Sequence, residues 1–176
     1  MDEPVHVIRW KRSDSPDDTP LLDREWLVTN GLGGYASGTL AGVATRRYHG
    51  YLIAALPNPL GRTVMLNHLI EEVRLPDGST AHFGGREQAG GKLEHGAEHL
   101  REFRLEMGLP VWTYGFGEVV LEKRVLLPHG QNSVHVGYRL VEGSATVRLL
   151  LRPSLHFRPQ EAPVSTLLGG PAGISG

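Results

Sequence analysis

Residues 25–56, EWLVTNGLGGYASGTLAGVATRRYHGYLIAAL, decide between two folds. The apolar run Trp26–Thr29 leads into Gly31-Leu32-Gly33-Gly34-Tyr35-Ala36, which satisfies the G-x-G-x-x-A pattern that opens a dinucleotide-binding βαβ unit. That unit needs a helix after the glycines, because the helix N-terminus supplies the dipole and free N–H groups that hold pyrophosphate. Residues 37–45, SGTLAGVAT, set Gly38 and Gly42 among β-branched side chains and make a poor helix. No Asp or Glu stands between Ala36 and Glu71 to take a ribose hydroxyl. The stretch therefore reads as a strand, a glycine-dense loop and, from Gly50, a second strand. No nucleotide cofactor is expected.

Outward from it, short apolar or alternating runs are separated by turn residues, the pattern of strands rather than helices. Val5–Trp10, Trp26–Thr29, Gly50–Leu56, Thr63–Leu66 and Leu69–Leu75 form a first group. Pro76-Asp77-Gly78 is a turn, with Thr80–Phe83 returning antiparallel to Leu69–Leu75. Leu100–Met107, Val111–Phe116, Val119–Leu127, Ser133–Val141 and Thr146–Arg152 form a second group. Gly115-Phe116-Gly117 and Glu142-Gly143-Ser144 read as hairpin connections. In Val119–Leu127 the apolar positions 119, 121, 125 and 127 share parity with Lys123. With 23 glycines, 12 prolines and no long amphipathic helix, the chain is expected to be all-β, an antiparallel β-sandwich. Trp26 and Trp112 are expected in its core.

The acidic, proline-rich segment 13–20 reads as a solvated loop. Residues 1–158 read as one domain and 159–176, ending LGGPAGISG, as a poorly ordered tail. A β-domain seldom stops this way, so the C-terminus is expected to be truncated. An edge strand left open there would favour pairing between copies of the chain, a homo-oligomer.

Composition narrows the function. A chain of 176 residues suffices for one core, burying about 70% of its unfolded surface. With 18 Lys and Arg against 19 Asp and Glu, it lacks the basic excess that nucleic-acid binding uses. No apolar run reaches the roughly 20 residues of a membrane span, and no secretory leader pattern opens the chain. The absence of cysteine removes disulfides, thiolate metal sites and cysteine nucleophiles. A cytoplasmic protein is expected.

Recognition chemistry concentrates in the opening stretch. Asn30, Gly31, Gly33, Gly34 and Tyr35 are followed by Arg46, Arg47, Tyr48 and His49, which supply planar donors, aromatic faces and an imidazole. Each also has a plain structural reading. Residues 30–34 can be a tight turn alone, one of the two arginines an ion-pair partner, His49 a satisfied buried ring, and the tyrosines core-edge aromatics. His95 and His99 have metal-ligand spacing only on a helix, Gly96 lies between them, and no third ligand stands in register, so no metal is expected. Glycoside hydrolysis needs two carboxyl groups about 5–10 Å apart. Glu25, Glu71, Glu72, Glu118 and Glu122 show no sign of pairing and read as solvated strand or turn residues.

In order along the chain, EWLVTNGLGGYASGTLAGVATRRYHG, Leu52–Leu56, Leu60–Val64, Glu122-Lys123-Arg124, Pro128-His129-Gly130-Gln131-Asn132, Val134–Leu140 and Leu151-Arg152-Pro153 resemble the N-terminal domain of bacterial and archaeal glycogen debranching enzymes. The resemblance spans about residues 24–158. It implies a supersandwich-like β-domain preceding an (α/α)-barrel that removes α-1,6-linked glucose stubs from glycogen or related maltooligosaccharides. The catalytic acids then belong to that barrel, and no catalytic residue is expected here. It further implies that the surface carrying residues 30–35 and 46–49 docks on the barrel and shapes the rim of its substrate pocket. A stand-alone carbohydrate-binding module and a purely structural domain are the alternatives. The chain departs from the family pattern at Ala44, commonly Asn, and at Pro159-Gln160-Glu161, where relatives carry an acidic residue, an aromatic and a His.

Overall fold

The computed structural model describes residues 7–11, 19–87, 93–143 and 146–163. In chain order its elements are β1 (Val7–Lys11), a helical turn α1 (Thr19–Asp23), β2 (Glu25–Thr29), β3 (Tyr35–Thr39), β4 (Gly50–Ala55), β5 (Arg62–Arg74), β6 (Thr80–His82), β7 (Arg86–Glu87) and β8 (Leu93–Glu94). A 3-10 turn at Ala97–His99 precedes β9 (Leu100–Glu106), β10 (Leu109–Phe116), β11 (Val119–Leu126), β12 (His135–Glu142) and β13 (Arg148–Pro159). One sheet runs β1-β9-β10-β11-β12 and the other β13-β5-β4-β3-β2, with β6 alongside the far end of β5. Every pairing is antiparallel, and the two sheets pack face to face as a β-sandwich. No helix among the described residues is long and apolar enough to cross a membrane.

Four expectations need correcting. The runs Thr63–Leu66 and Leu69–Leu75 are one 13-residue strand, β5, because β13 pairs along its whole length and carries the ladder across the polar Asn67 and His68. Residues 35–39 are a strand, not loop. Gly38 weakens a strand intrinsically, yet its missing side chain lets the Trp26 indole lie against the backbone, where a Cβ would stand 3.3 Å from Nε1. The connection after Glu142 is no hairpin, since β12 and β13 belong to different sheets and the chain crosses between them. The fourth concerns the glutamates. Glu71 and Glu122 are buried and paired, not solvated.

The core joins the sheets through aromatic rings. Trp26 on β2 meets Trp112 on β10 edge-on at 5.2 Å, Phe103 adds a second edge contact to Trp112, and Phe83 meets Tyr114 and Phe116. The Trp112 indole N–H donates to the Leu40 carbonyl at 3.0 Å, so the largest core side chain leaves no orphaned donor.

Lys123 lies where parity places it, on the apolar face of β11, and it is 1% exposed. Its ammonium donates to Glu71 Oε2 on β5 and to the Tyr51 hydroxyl on β4, both at 2.6 Å. It also sits 4.9 Å from the Tyr51 ring centroid and 5.3 Å from that of Trp112, within cation–π range. The other oxygen of Glu71 accepts from the Tyr138 hydroxyl on β12. Burial, reinforced by the Glu71 charge, pushes the Tyr51 and Tyr138 hydroxyls well up, so both stay protonated. Four strands from both sheets thus meet at one ion pair.

The five-stranded sheet carries a second polar cluster. Glu122 accepts from Arg104 at 2.5 Å, Arg124 at 2.8 Å and Arg139 at 3.2 Å. Burial raises its carboxyl, but hydrogen bonds from Arg124 and Arg104 outweigh that and hold it down at about 2.

Candidate functional site

The glycine loop is built by a neighbour distant in sequence. Asn30 ends β2 fully buried, and its Oδ1 accepts the N–H groups of Leu32 at 2.9 Å and Gly34 at 3.0 Å, closing the turn that Gly31 (φ 79°) and Gly33 (φ 93°) permit. Its amide donates to the Gln131 carbonyl and to Asn132 Oδ1, and its own carbonyl accepts the Gly130 N–H. Asn132 in turn mimics a strand partner, exchanging two hydrogen bonds with the backbone of Ala55 at the end of β4. The His129 ring fills the space a Cβ on Gly31 would occupy. Asn30, Gly31 and Gly34 thus bracket β2, β3 and β4 to the segment 128–132.

The second loop, 45–49, is held just as firmly. His49 is fully buried, and its Nδ1 accepts the N–H groups of Thr45 at 3.1 Å and Arg46 at 3.2 Å. The proton of the neutral ring therefore sits on Nε2, 3.4 Å from Glu25 Oε1, too long for a well-formed hydrogen bond. Burial lowers the His49 pKa, with the Glu25 charge opposing. The Tyr48 carbonyl accepts the hydroxyls of Tyr35 at 3.1 Å and Ser37 at 3.2 Å. The Arg47 carbonyl accepts Arg158 Nη2 at 2.6 Å. Arg158 is itself buried, and its Nη1 donates to the carbonyls of Pro159, Gln160 and Ala162. With the backbone fixed from below, Arg46, Arg47 and Tyr48 point outward and are exposed.

Between the two loops lies a cleft of about 480 Å³ on the outward side of β2 and β3. Glu25, Leu27 and Thr29 line it from β2, and Tyr35 and Ser37 from β3. Gly33, Gly34, Tyr48, Arg62 and Gln160 complete the wall, along with Trp26. Arg62 is fixed by donating from Nε to the Gly33 carbonyl at 2.8 Å. Arg46 pairs with Glu25, and Arg47 with Glu161, both at 3.3 Å.

A model of the glycogen debranching enzyme N-terminal family matches residues 24–167, from the approach to β2 to beyond β13. The chain belongs to this family. Neither the curated proteins nor the solved structures contain a match to it. The debranching-family match covers both loops, the cleft and Arg158, and leaves out β1.

Of the residues singled out in sequence, Gly33, Gly34, Tyr35 and Tyr48 line the cleft. Arg46 and Arg47 flank it, and Asn30, Gly31 and His49 support it from within. Leu27, Ser37, Arg62 and Arg158 were not singled out as site residues, and Glu25 and Gln160 were named only as a solvated carboxylate and as a departure from the family pattern. Alternation along β2 was a usable signal for Glu25 and Leu27: with Trp26 in the core, both neighbours must face outward, and Leu27 is 58% exposed.

The other histidines lie apart. His82, His95 and His99 line a second hollow of about 500 Å³ beside β6 and the β10–β11 turn. His95 Nδ1 accepts the Ala97 N–H, and a 3-10 turn rather than an α-helix carries His99. Among the described residues no group of three or more His, Asp or Glu is placed to hold a metal ion.

Proposed function

We propose that this domain is a non-catalytic part of a debranching glycosidase, docking on an (α/α)-barrel and shaping the rim of its substrate site for α-1,6-linked stubs of glycogen or related glucans. The observation that carries the proposal is the 45–49 loop, whose backbone is gripped by His49, Ser37, Tyr35 and Arg158 while Arg46, Arg47 and Tyr48 face outward beside exposed Leu27. Pre-ordering a loop in this way lowers the entropy lost when its side chains are immobilised in an interface. The family match supplies the kind of partner.

The carboxylates support a non-catalytic role. Among the described residues lining the cleft Glu25 alone carries a carboxyl group, and it is engaged with Arg46, whereas hydrolysis needs two flanking acids. Glu71 is committed to the buried Lys123, and Glu122 to Arg104, Arg124 and Arg139. Sedimentation velocity of this chain mixed with a separately expressed barrel of the family tests docking. Association weakened at least about tenfold by Leu27→Asp is expected, since an apolar contact is replaced by a charge that must be taken out of water in the interface. Unaltered association would refute the placement. Glucose release from an α-1,6-linked substrate by the purified chain would overturn the non-catalytic assignment.

A second reading, carbohydrate binding by the cleft itself, is favoured by its volume and by the pairing of Tyr35 and Tyr48 with polar groups. Calorimetric titration with branched maltooligosaccharide gives heat under that reading and none under docking alone.

A further inference from the structure

Charge around the cleft is uneven in a chain whose net charge is only −1. Arg46, Arg47, Arg62 and Arg158 gather at the 45–49 loop and the cleft wall, against Glu25 and Glu161. Each glutamate already faces an arginine, Glu25 with Arg46 and Glu161 with Arg47. Arg62 and Arg158 have no carboxylate partner among the described residues. All the donated hydrogen bonds of Arg158 go to backbone carbonyls, its Nε has no partner, and its charge stays buried beneath the loop. A guanidinium does not escape such a place by losing its proton. Burial pushes the Tyr35 hydroxyl up and the Glu161 charge adds to that, while the charges of Arg62 and Arg158 oppose it.

Of the two arginines without a carboxylate partner among the described residues, Arg158 is buried and Arg62 is exposed. Its Nε is tied to the Gly33 carbonyl, so the guanidinium plane is held against the glycine loop, and its terminal amino groups have no protein partner among the described residues. A planar fork fixed at one nitrogen and open at the others suits a carboxylate, which it meets with paired N–H···O bonds. We propose that the cleft seats a carboxylate side chain, carried on the segment of the partner that docks here and gripped by Arg62 beside the Tyr35 ring. The identity of the carrier rests on the docking reading above; the preference for a carboxylate rests on the arginines.

The test uses this chain and two blocked tripeptides, Gly-Glu-Gly and Gly-Gln-Gly, titrated to tens of millimolar while the Arg62 Nε–H and the Tyr35 and Tyr48 ring resonances are followed by NMR. The Glu peptide is expected to shift them saturably, with an affinity that falls as salt is raised. Arg62→Gln is expected to weaken that titration at least about fivefold, the loss of one charge-assisted contact, and Arg62→Lys to fall between. Unchanged amide resonances away from the cleft confirm that the variants are folded. No saturable shift, an equal response to the Gln peptide, or an unaltered titration in Arg62→Gln would overturn the proposal. A response to maltoheptaose and not to the Glu peptide would overturn it in favour of a sugar site. The two readings separate cleanly. If the peptide titrates but the chain ignores the barrel, docking falls and the carboxylate site stands; if the barrel binds and the peptide does not titrate, the carboxylate site alone falls.

Discussion

Replacing Lys123 by Met removes one charge from the pair that joins the sheets and leaves the carboxylate of Glu71, 1% exposed, with the Tyr138 hydroxyl as its remaining hydrogen-bond donor among the described residues. Breaking a buried pair by deleting one partner costs about 3–5 kcal/mol, mostly from the stranded charge. Contacts with the Tyr51 and Trp112 rings are lost too, though the Met side chain fills most of the same volume. Against a total stability of about 5–15 kcal/mol this is severe, and Tm should fall by roughly 10 °C. Urea unfolding followed by tryptophan fluorescence, which reports on Trp26 and Trp112 next to the pair, measures it. Removing both charges in Lys123→Met/Glu71→Leu should recover part of the loss, leaving the Tyr51 and Tyr138 hydroxyls unmatched at about 1–3 kcal/mol each. Adding Tyr51→Phe and Tyr138→Phe should recover most of the remainder. A Lys123→Met variant within about 1 kcal/mol of the parent, or a double variant no better than the single, would refute the account, because neither fits a dry, mutually dependent pair.

Three further outcomes are expected. Glu122, held at about 2 against an ordinary 4.5, is protonated later in the folded than in the unfolded chain, so its contribution is complete above about pH 4.5 and is lost as pH falls towards 2. The gap is worth on the order of 3 kcal/mol, and Glu122→Gln should flatten the pH dependence of unfolding in that window; parallel curves would contradict it. At Gly34 a Cβ would stand 2.6 Å from the Asn30 amide and 3.0 Å from the Ile53 carbonyl, while at Gly61 (φ 59°) nothing lies within 4 Å. Gly34→Ala should therefore cost clearly more, by denaturation midpoint, than Gly61→Ala, whose penalty is about 1–2 kcal/mol of left-handed backbone. For His49, ¹⁵N chemical shifts should show a neutral ring protonated on Nε2 at pH 6.5, where a free imidazole is half charged. An imidazolium signal at that pH would mean the ring is not buried as described.

The sandwich was legible because β10 and β11 are short runs rich in β-branched and aromatic residues that meet at a tight turn, Gly117-Glu118, next to the predicted hairpin position. Local pattern sufficed for both strands. It failed at β3, where Gly38 signals a break and only the Trp26 indole, on the neighbouring strand, explains why the strand continues. Glu71 was unreadable for a similar reason, since its cation lies 52 residues away in the other sheet. The site divides the same way. Its outward groups, Tyr35, Arg46, Arg47 and Tyr48, stand together in sequence, whereas Arg158, which holds the loop, is 111 residues from the carbonyl it grips.

That separation has a consequence in time. A chain emerging from the ribosome carries Arg46, Arg47 and Tyr48 early, but the guanidinium that pins their backbone arrives with β13, the last strand of the described sandwich. Until β13 pairs along β5, the loop lacks its deepest anchor and Gln160 is missing from the cleft wall. The 45–49 loop and the cleft wall are thus completed only when the last strand of the described sandwich is in place.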